Sequence, residues 1–236
     1  MKIAILSDIH GNIYAFREVI KSMKQQNIDV VFLLGDQLGY YYDVLEVFSE
    51  IKKWDHHIIA GNHERIFSKY LNSDLSFREK IVKKYGNCFS YYQKYLPASL
   101  IEEIKKLPDK KDVKIDGHNF LLCHGSPLEE DQYVYPDSEK HVLEQLSFSG
   151  HDYVFMGHTH YPMIYNIKET MLINVGSVGQ ARNVGGIANW GIFNTSNNVY
   201  TPQATPYNID LLKTFLVKNE EKEYLHKVLK RNNSTL

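Results

Sequence analysis

Five separated motifs carry the chemistry of this chain: Asp8-Ile9-His10, Gly35-Asp36, Gly61-Asn62-His63-Glu64, His124-Gly125 and Gly157-His158-Thr159-His160. Nearly every polar side chain in them is a metal-ligand type, and nearly every one follows a short apolar run, which puts it at the end of a strand. Asp8 and His10 lie two residues apart, as do His158 and His160, so a turn at each strand end can aim both members of a pair one way. Asp36 follows Gly35 directly, and its two oxygens make it the natural bridge between two ions. Asn62 adds a neutral amide oxygen, and His124 another imidazole. Such mixed ligands suit Mn, Fe, Zn or Ni better than Mg or Ca, which favour all-oxygen shells. The expected cofactor is therefore two divalent transition metal ions. A pair of that kind is the usual apparatus for displacing a leaving group from phosphorus. Singly, a His after an apolar run is ordinarily a hydrogen-bonded structural residue and an Asp there a helix cap. Seven of them at the ends of five strands favour the metal reading.

The elements that must position these residues alternate in type. Apolar runs at 3–7, 30–34 and 58–60 read as buried strands. Between them, 13–25 and 42–53 carry apolar residues at helical spacing, with Asn12 as cap of the first. This βαβαβ order predicts a parallel sheet with helices packed on it. Residues 67–106 read as two or three helices, ended by Pro108. Further strands are expected at 119–123, 153–156 and 170–175, the last followed by the turn-prone Gly176-Ser177-Val178-Gly179. Residues 189–193 and 197–200 read as a hairpin near the sheet edge. From 209 onward a charged helix runs to a polar end at 231–235 that should fray. No repeat, linker or boundary interrupts 1–236, so one domain is expected.

Composition limits the alternatives. At 43% hydrophobic and 23% charged residues the chain is globular rather than disordered. A net charge of -1 carries no basic field for nucleic acid, and no apolar stretch approaches the roughly 20 residues of a membrane span. Two cysteines, Cys88 and Cys123, make no disulfide framework, and Met1 runs straight into a strand without room for a cleavable signal. A cytoplasmic location is the resulting expectation. Arginine is scarce, five against 22 lysines, so Arg182 after a glycine turn is a candidate for binding phosphate, whereas Arg65 reads as an ion-pair partner. Asn12 either faces the site or only caps its helix. Of 17 tyrosines, Tyr40-Tyr41-Tyr42 and Tyr91, Tyr92 and Tyr95 can stack a nucleobase, line a dimer interface or simply pack. An oligomer is permitted without being indicated. His56, His57, His118, His141, His151 and His226 match no motif and read as structural or surface residues.

Taken together, the motifs resemble those of the calcineurin-like metallophosphoesterase superfamily: D-x-H, GD, GNH followed by D or E, H, and GHxH. They more closely resemble its small bacterial and archaeal branch, which begins SDIHGN (Ser7 to Asn12) and continues GDxxGY (Gly35 to Tyr40), HGSP (His124 to Pro127) and GSVGQ-x-R (Gly176 to Arg182). The similarity covers all but about the last 30 residues. It implies an α/β fold, a four-layer α/β/β/α sandwich. It also implies that Asp8, His10, Asp36 and His160 hold one metal, that Asp36, Asn62, His124 and His158 hold the other, and that His63 contacts the phosphoryl group and protonates the leaving oxygen. The implied activity is attack of a metal-bridging hydroxide on a small, nucleotide-like phosphodiester or phosphomonoester. The alternatives are a protein phosphatase and a binding scaffold of the same fold, like the retromer subunit that shares it. Two positions depart from the wider pattern: Gly39, where the broader superfamily has Asp, and Ala181, where many relatives have Pro.

Overall fold

β1 (Lys2–Leu6) and β2 (Val30–Leu33) are apolar at nearly every position because both of their faces are covered, and they pair in parallel with β3 (His56–Ile58). The computed structural model describes residues 1–146, 150–218 and 222–232. On the far side of β1 the sheet continues with the antiparallel hairpin of β9 (Ile187–Asn194) and β10 (Val199–Pro206), in the order β10-β9-β1-β2-β3. A second sheet, ordered β4-β5-β6-β8-β7, is built from β4 (Lys110–Ile115), β5 (His118–Cys123), β6 (Tyr153–Met156), β7 (Pro162–Ile167) and β8 (Thr170–Val175).

Side-chain alternation stacks the layers. Ile3, Ile5, Phe32 and Leu34 of the first sheet meet Phe120, Leu122, Phe155 and Ile173 of the second in one buried core. On its other face, the first sheet turns Ala4, Leu6, Val31 and Leu33 onto α1 (Ile13–Gln25), α8 (Ile209–Lys218) and α9 (Glu223–Val228). Leu121, Val154, Met156 and Leu172 turn outward onto Leu143 and Leu146 of α7 (Lys140–Leu146). The result is the expected α/β/β/α sandwich. Beside it, α3 (Asn62–Leu71), α4 (Leu75–Tyr85), α5 (Cys88–Tyr95) and α6 (Ala98–Lys105) gather Phe67, Tyr70, Tyr85, Phe89 and Tyr92 into a core shared with Phe48 of α2 (Val44–Ile51).

The structure revises several expectations. Four helices, not two or three, fill the insertion, and the first begins at Asn62, so Asn62 and His63 lie in a helical first turn. The third strand ends at Ile58 instead of spanning 58–60. The hairpin is longer than expected, and of its two strands β10 is at the sheet edge while β9 pairs with β1. β4 and β7 escape notice because edge strands keep charged or polar residues outward, and Lys110, Lys111, Asp112 and Lys114 break the apolar run in β4. The tail carries two helices, and the polar end expected at 231–235 lies outside the described residues from 233 on. Asn12 caps α1 through the Ala15 N–H, and its amide donates to the Gly179 carbonyl at 2.9 Å. Both halves of this buried side chain are thus engaged, which is the capping alternative. No helix among the described residues is long and apolar enough to cross a membrane.

Asp43 precedes α2 without capping it, and burial, with Glu46 nearby, pushes its carboxyl up to about 6 against the pull of Arg17. A carboxyl raised on folding favours the native state while protonated. Its contribution therefore turns unfavourable as pH rises from the ordinary carboxylate range through about 6. Asp43→Asn should raise the free energy of urea unfolding at pH 8, by at most about 1 kcal/mol given solvent screening, and leave it unmoved at pH 4. An equal gain at both pH values would remove the charge explanation.

Candidate metal centre

The seven expected ligands converge where five strands end. Asp8 and His10 follow β1, Asp36 follows β2, Asn62 opens α3 after β3, His124 follows β5, and His158 and His160 follow β6. Asp8, His10, Asp36, His158 and His160 all have left-handed backbones, with φ of 54°, 54°, 54°, 67° and 62°. Left-handed non-glycine residues are uncommon and persist only where their surroundings hold them. Here a left-handed residue at each end of an i, i+2 pair turns the chain sharply just past the strand, so that both side chains reach the centre. The approach is close enough that a Cβ on Gly157 would collide with the Ser7 hydroxyl.

Each aspartate commits one oxygen to the protein and turns the other inward. Asp8 Oδ2 accepts from the Ser7 hydroxyl (2.6 Å) and the His158 N–H (3.1 Å), while Oδ1 lies 3.1 Å from His160 Nε2 and 3.7 Å from His10 Nε2. Asp36 Oδ1 accepts from the His63 N–H (2.8 Å), and Oδ2 lies 3.4 Å from His124 Nε2 and 3.9 Å from His10 Nε2. Asp36 therefore offers both groups the same oxygen, not one oxygen to each. His124 Nε2 also lies 3.1 Å from Asn62 Oδ1 and 3.2 Å from His158 Nδ1.

The outer ring nitrogens fix the tautomers. His10, His124 and His160 direct Nδ1 to the carbonyls of Leu38 (3.0 Å), Leu34 (2.8 Å) and Gln180 (2.7 Å). A carbonyl only accepts, so Nδ1 carries a proton, and wherever the ring is neutral, as burial makes His10, Nε2 presents a lone pair to the centre. His10 Nε2 and His160 Nε2 are 3.1 Å apart. In their neutral forms the two rings turn lone pairs on one another at that distance, beside the carboxylate of Asp8, an arrangement that fits a shared cation. The donor set on the Asp36, Asn62, His124 and His158 side fits a second.

Charge in the pocket divides accordingly. Burial favours neutral carboxyls, but His160 beside Asp8 and His124 beside Asp36 hold both well below the usual carboxylate range. Burial and the neighbouring His63 push His10 well down, and burial takes His63 and His158 to about 4. Burial also opposes a charge on His124, yet Asp36 and Asp8 carry it up to about 9.

Sequence reasoning gave Glu64 no role. Its carboxylate accepts from the backbone N–H groups of Gly61 (2.7 Å), Asp36 (2.9 Å), Gln37 (2.9 Å) and Leu38 (3.3 Å), pinning the Asp36 loop to the start of α3. The signal for it was an acidic residue at the third position of a helix, reaching back to the preceding loop. Burial, then Asp36, push Glu64 up to about 7, against the pull of these donors. Tyr133 was also missed; its ring packs 4.0 Å from that of His158, and nothing in its neighbours' sequence marks it. Arg65 pairs with Asp109 and Asp131, as its placement suggested. Arg182 is largely buried near the phenols of Tyr224, Tyr40, Tyr135 and Tyr133 and remains charged. Remote from the centre, His56 meets the Trp54 carbonyl, His118 the Thr195 carbonyl, and His151 Asp112.

Comparison with known proteins accords with this geometry. The model of the calcineurin-like phosphoesterase superfamily domain matches residues 1–198. A Methanocaldococcus jannaschii protein described as uncharacterized is 26% identical over 94% of the chain and 95% of its own length. A phosphodiesterase of the same organism is 26% identical over 85% of the chain and 96% of its own length. The fold is shared with a hypothetical protein from Pyrococcus horikoshii, at TM-score 0.83, 18% identity and 98% coverage of both chains. It is shared too with a metallophosphoesterase from Sphaerobacter thermophilus, at TM-score 0.80, 22% identity and coverage of 97% and 98%.

Glu64→Gln keeps the shape but sets an amide N–H₂ against backbone donors. It should lower stability by about 3 kcal/mol in urea unfolding and loosen retained metal, measured after dialysis. Unchanged stability and metal content would mean that the four contacts do not hold the two loops together.

Proposed function

The chain belongs to the calcineurin-like phosphoesterase superfamily, and from that premise we propose that it hydrolyses phosphodiester bonds of small substrates with two divalent metal ions. The observation that carries the reading is the pair of inward lone pairs on His10 and His160 beside Asp8. Asp8, His10 and His160 with Asp36 Oδ2 would hold one ion, and the same Oδ2 with Asn62, His124 and His158 the other. Mn, Fe, Zn and Ni all suit these donors. Ions bound there would supply a water of lowered pKa and positive charge against the phosphoryl oxygens. The similarity to a phosphodiesterase supports a diester as the bond cleaved.

His63 is the proposed proton donor. Its Nε2 lies 4.0 Å from Asp36 Oδ2, while Nδ1 is buried without a hydrogen-bond partner. Gly39 packs so tightly on that edge that a Cβ there would strike the ring. The departure at Gly39 thus removes the acceptor an Asp would offer to Nδ1. Nδ1 is closed off against Gly39, whereas Nε2 is the edge turned toward Asp36 Oδ2, so a neutral ring that carries its proton on Nε2 can donate to a phosphoryl or leaving oxygen. Rings of Tyr40, Tyr85 and Phe89 hold the imidazole in place. Arg182 stays charged and is the proposed anchor for the anionic substrate.

His63→Ala should lower turnover of bis-p-nitrophenyl phosphate by about 10²- to 10⁴-fold while metal content stays unchanged. Parallel loss of metal and activity would make it a structural residue instead. Arg182→Ala should act chiefly on KM, raising it about tenfold or more, with Arg182→Lys recovering part of the loss. Were kcat to fall instead at constant KM, Arg182 would not be anchoring the ground-state substrate.

A further inference from the structure

Three tyrosines form a row of rings leading out of the metal centre. The Tyr133 ring lies 4.0 Å from that of His158, Tyr135 is parallel to Tyr133 within 14° at 5.8 Å, and Tyr161 stands edge-on to Tyr135 at 6.1 Å. Tyr161 directly follows His160, so the row starts at one proposed ligand and returns beside another. Tyr133 is 52% exposed, a large aromatic surface left in water next to a buried polar centre. Beyond it, Tyr135, Pro136, Asp137 and Tyr161 line a cleft of about 510 Å³.

The lining selects among ligand chemistries. Flat tyrosine and proline faces suit a planar ring, since stacking on an aromatic face tolerates any base. The one charged group in the lining is a carboxylate, which would repel a second phosphate and accept from an exocyclic amine. Positive charge lies along the row, where Arg182 and Lys84 both act on the Tyr133 hydroxyl and Arg182 acts on that of Tyr135 as well. Positive charge for an anion and flat faces for a ring thus follow one another along a single row that starts at His158, as the parts of a nucleotide require.

We propose that the cleft between Tyr135 and Tyr161 holds the base of a nucleoside phosphodiester whose phosphorus lies over the histidine–carboxylate centre. The inference rests on the phosphoesterase reading and narrows it to a substrate class. In the reaction, water adds to phosphorus and the ester P–O bond breaks, leaving a nucleoside monophosphate and the departing alcohol, which takes a proton.

The test compares two esters with the same leaving group, adenosine 5′-(p-nitrophenyl phosphate) and methyl p-nitrophenyl phosphate, on manganese-loaded protein. The adenosine ester should be preferred at least about tenfold in kcat/KM. Tyr135→Ala should cut that preference about tenfold through KM, Tyr135→Phe should keep it, and Tyr161→Leu gives an independent check if the first variant folds poorly. No preference in the parent protein, or a preference that survives Tyr135→Ala and Tyr161→Leu, overturns the assignment. If neither ester is cleaved, the hydrolase reading fails and binding decides the cleft. Adenosine 5′-monophosphate that quenches tyrosine fluorescence in the parent but not in Tyr135→Ala upholds it, and binding that is absent or equal in both overturns it.

Discussion

Imidazole nitrogens that face one another with their lone pairs are repelled unless something positive lies between them, and this constraint organises the centre. The Leu38 and Gln180 carbonyls take the outer protons of His10 and His160, so neither ring can relieve the repulsion by changing tautomer without losing a buried hydrogen bond. Leu34 acts likewise on His124. The backbone thus decides the protonation pattern of the centre, and the carboxylates of Asp8 and Asp36 follow from it, each with one oxygen secured and one exposed to the shared point. A cation is the element that such an arrangement fits.

Holding five non-glycine residues in left-handed conformations costs on the order of 1 kcal/mol or more apiece. The opposing contributions are specific. The Asp8 carbonyl accepts from the Ser177 hydroxyl and the Gly179 N–H, while the Asp8, His10 and Gly11 N–H groups donate to the carbonyls of Gly35, Asp36 and Gln37. Glu64 adds four more contacts behind Asp36. Both sheets lie directly beneath, so strain in the turns is opposed by the packing of Phe32, Phe120 and Phe155 rather than by solvent-exposed loops.

Much of this was legible in the sequence. The strands β1, β2, β5, β6 and β8 are short apolar runs, and the motif residues follow them directly, so the site's components and their neighbourhood could be read from position alone. The sandwich itself came from the resemblance, not from periodicity. What remained hidden depended on contacts between distant segments. β4 carries three lysines and an aspartate in six residues and is a strand only because β5 lies beside it. That Asp36 turns only Oδ2 toward the histidines depends on where the His63 N–H points. Tyr133 meets His158 across 25 residues of sequence that share no pattern with it.

β1 lies between β2 and β9, and the turn after β8 supplies the groups that grip Asp8 and His160. The first candidate ligands made on the ribosome, Asp8 and His10, are therefore among the last to be secured. Until residues near 190 have emerged, β1 has one neighbour, Asp8 lacks its clamp from Ser177, and no turn holds the His160 ring. Closing a contact between residues 5 and 191 is a slow, entropically demanding event. Assembly of the centre is in this sense a late checkpoint on synthesis, with its convergent geometry available only to chains that have folded through β9.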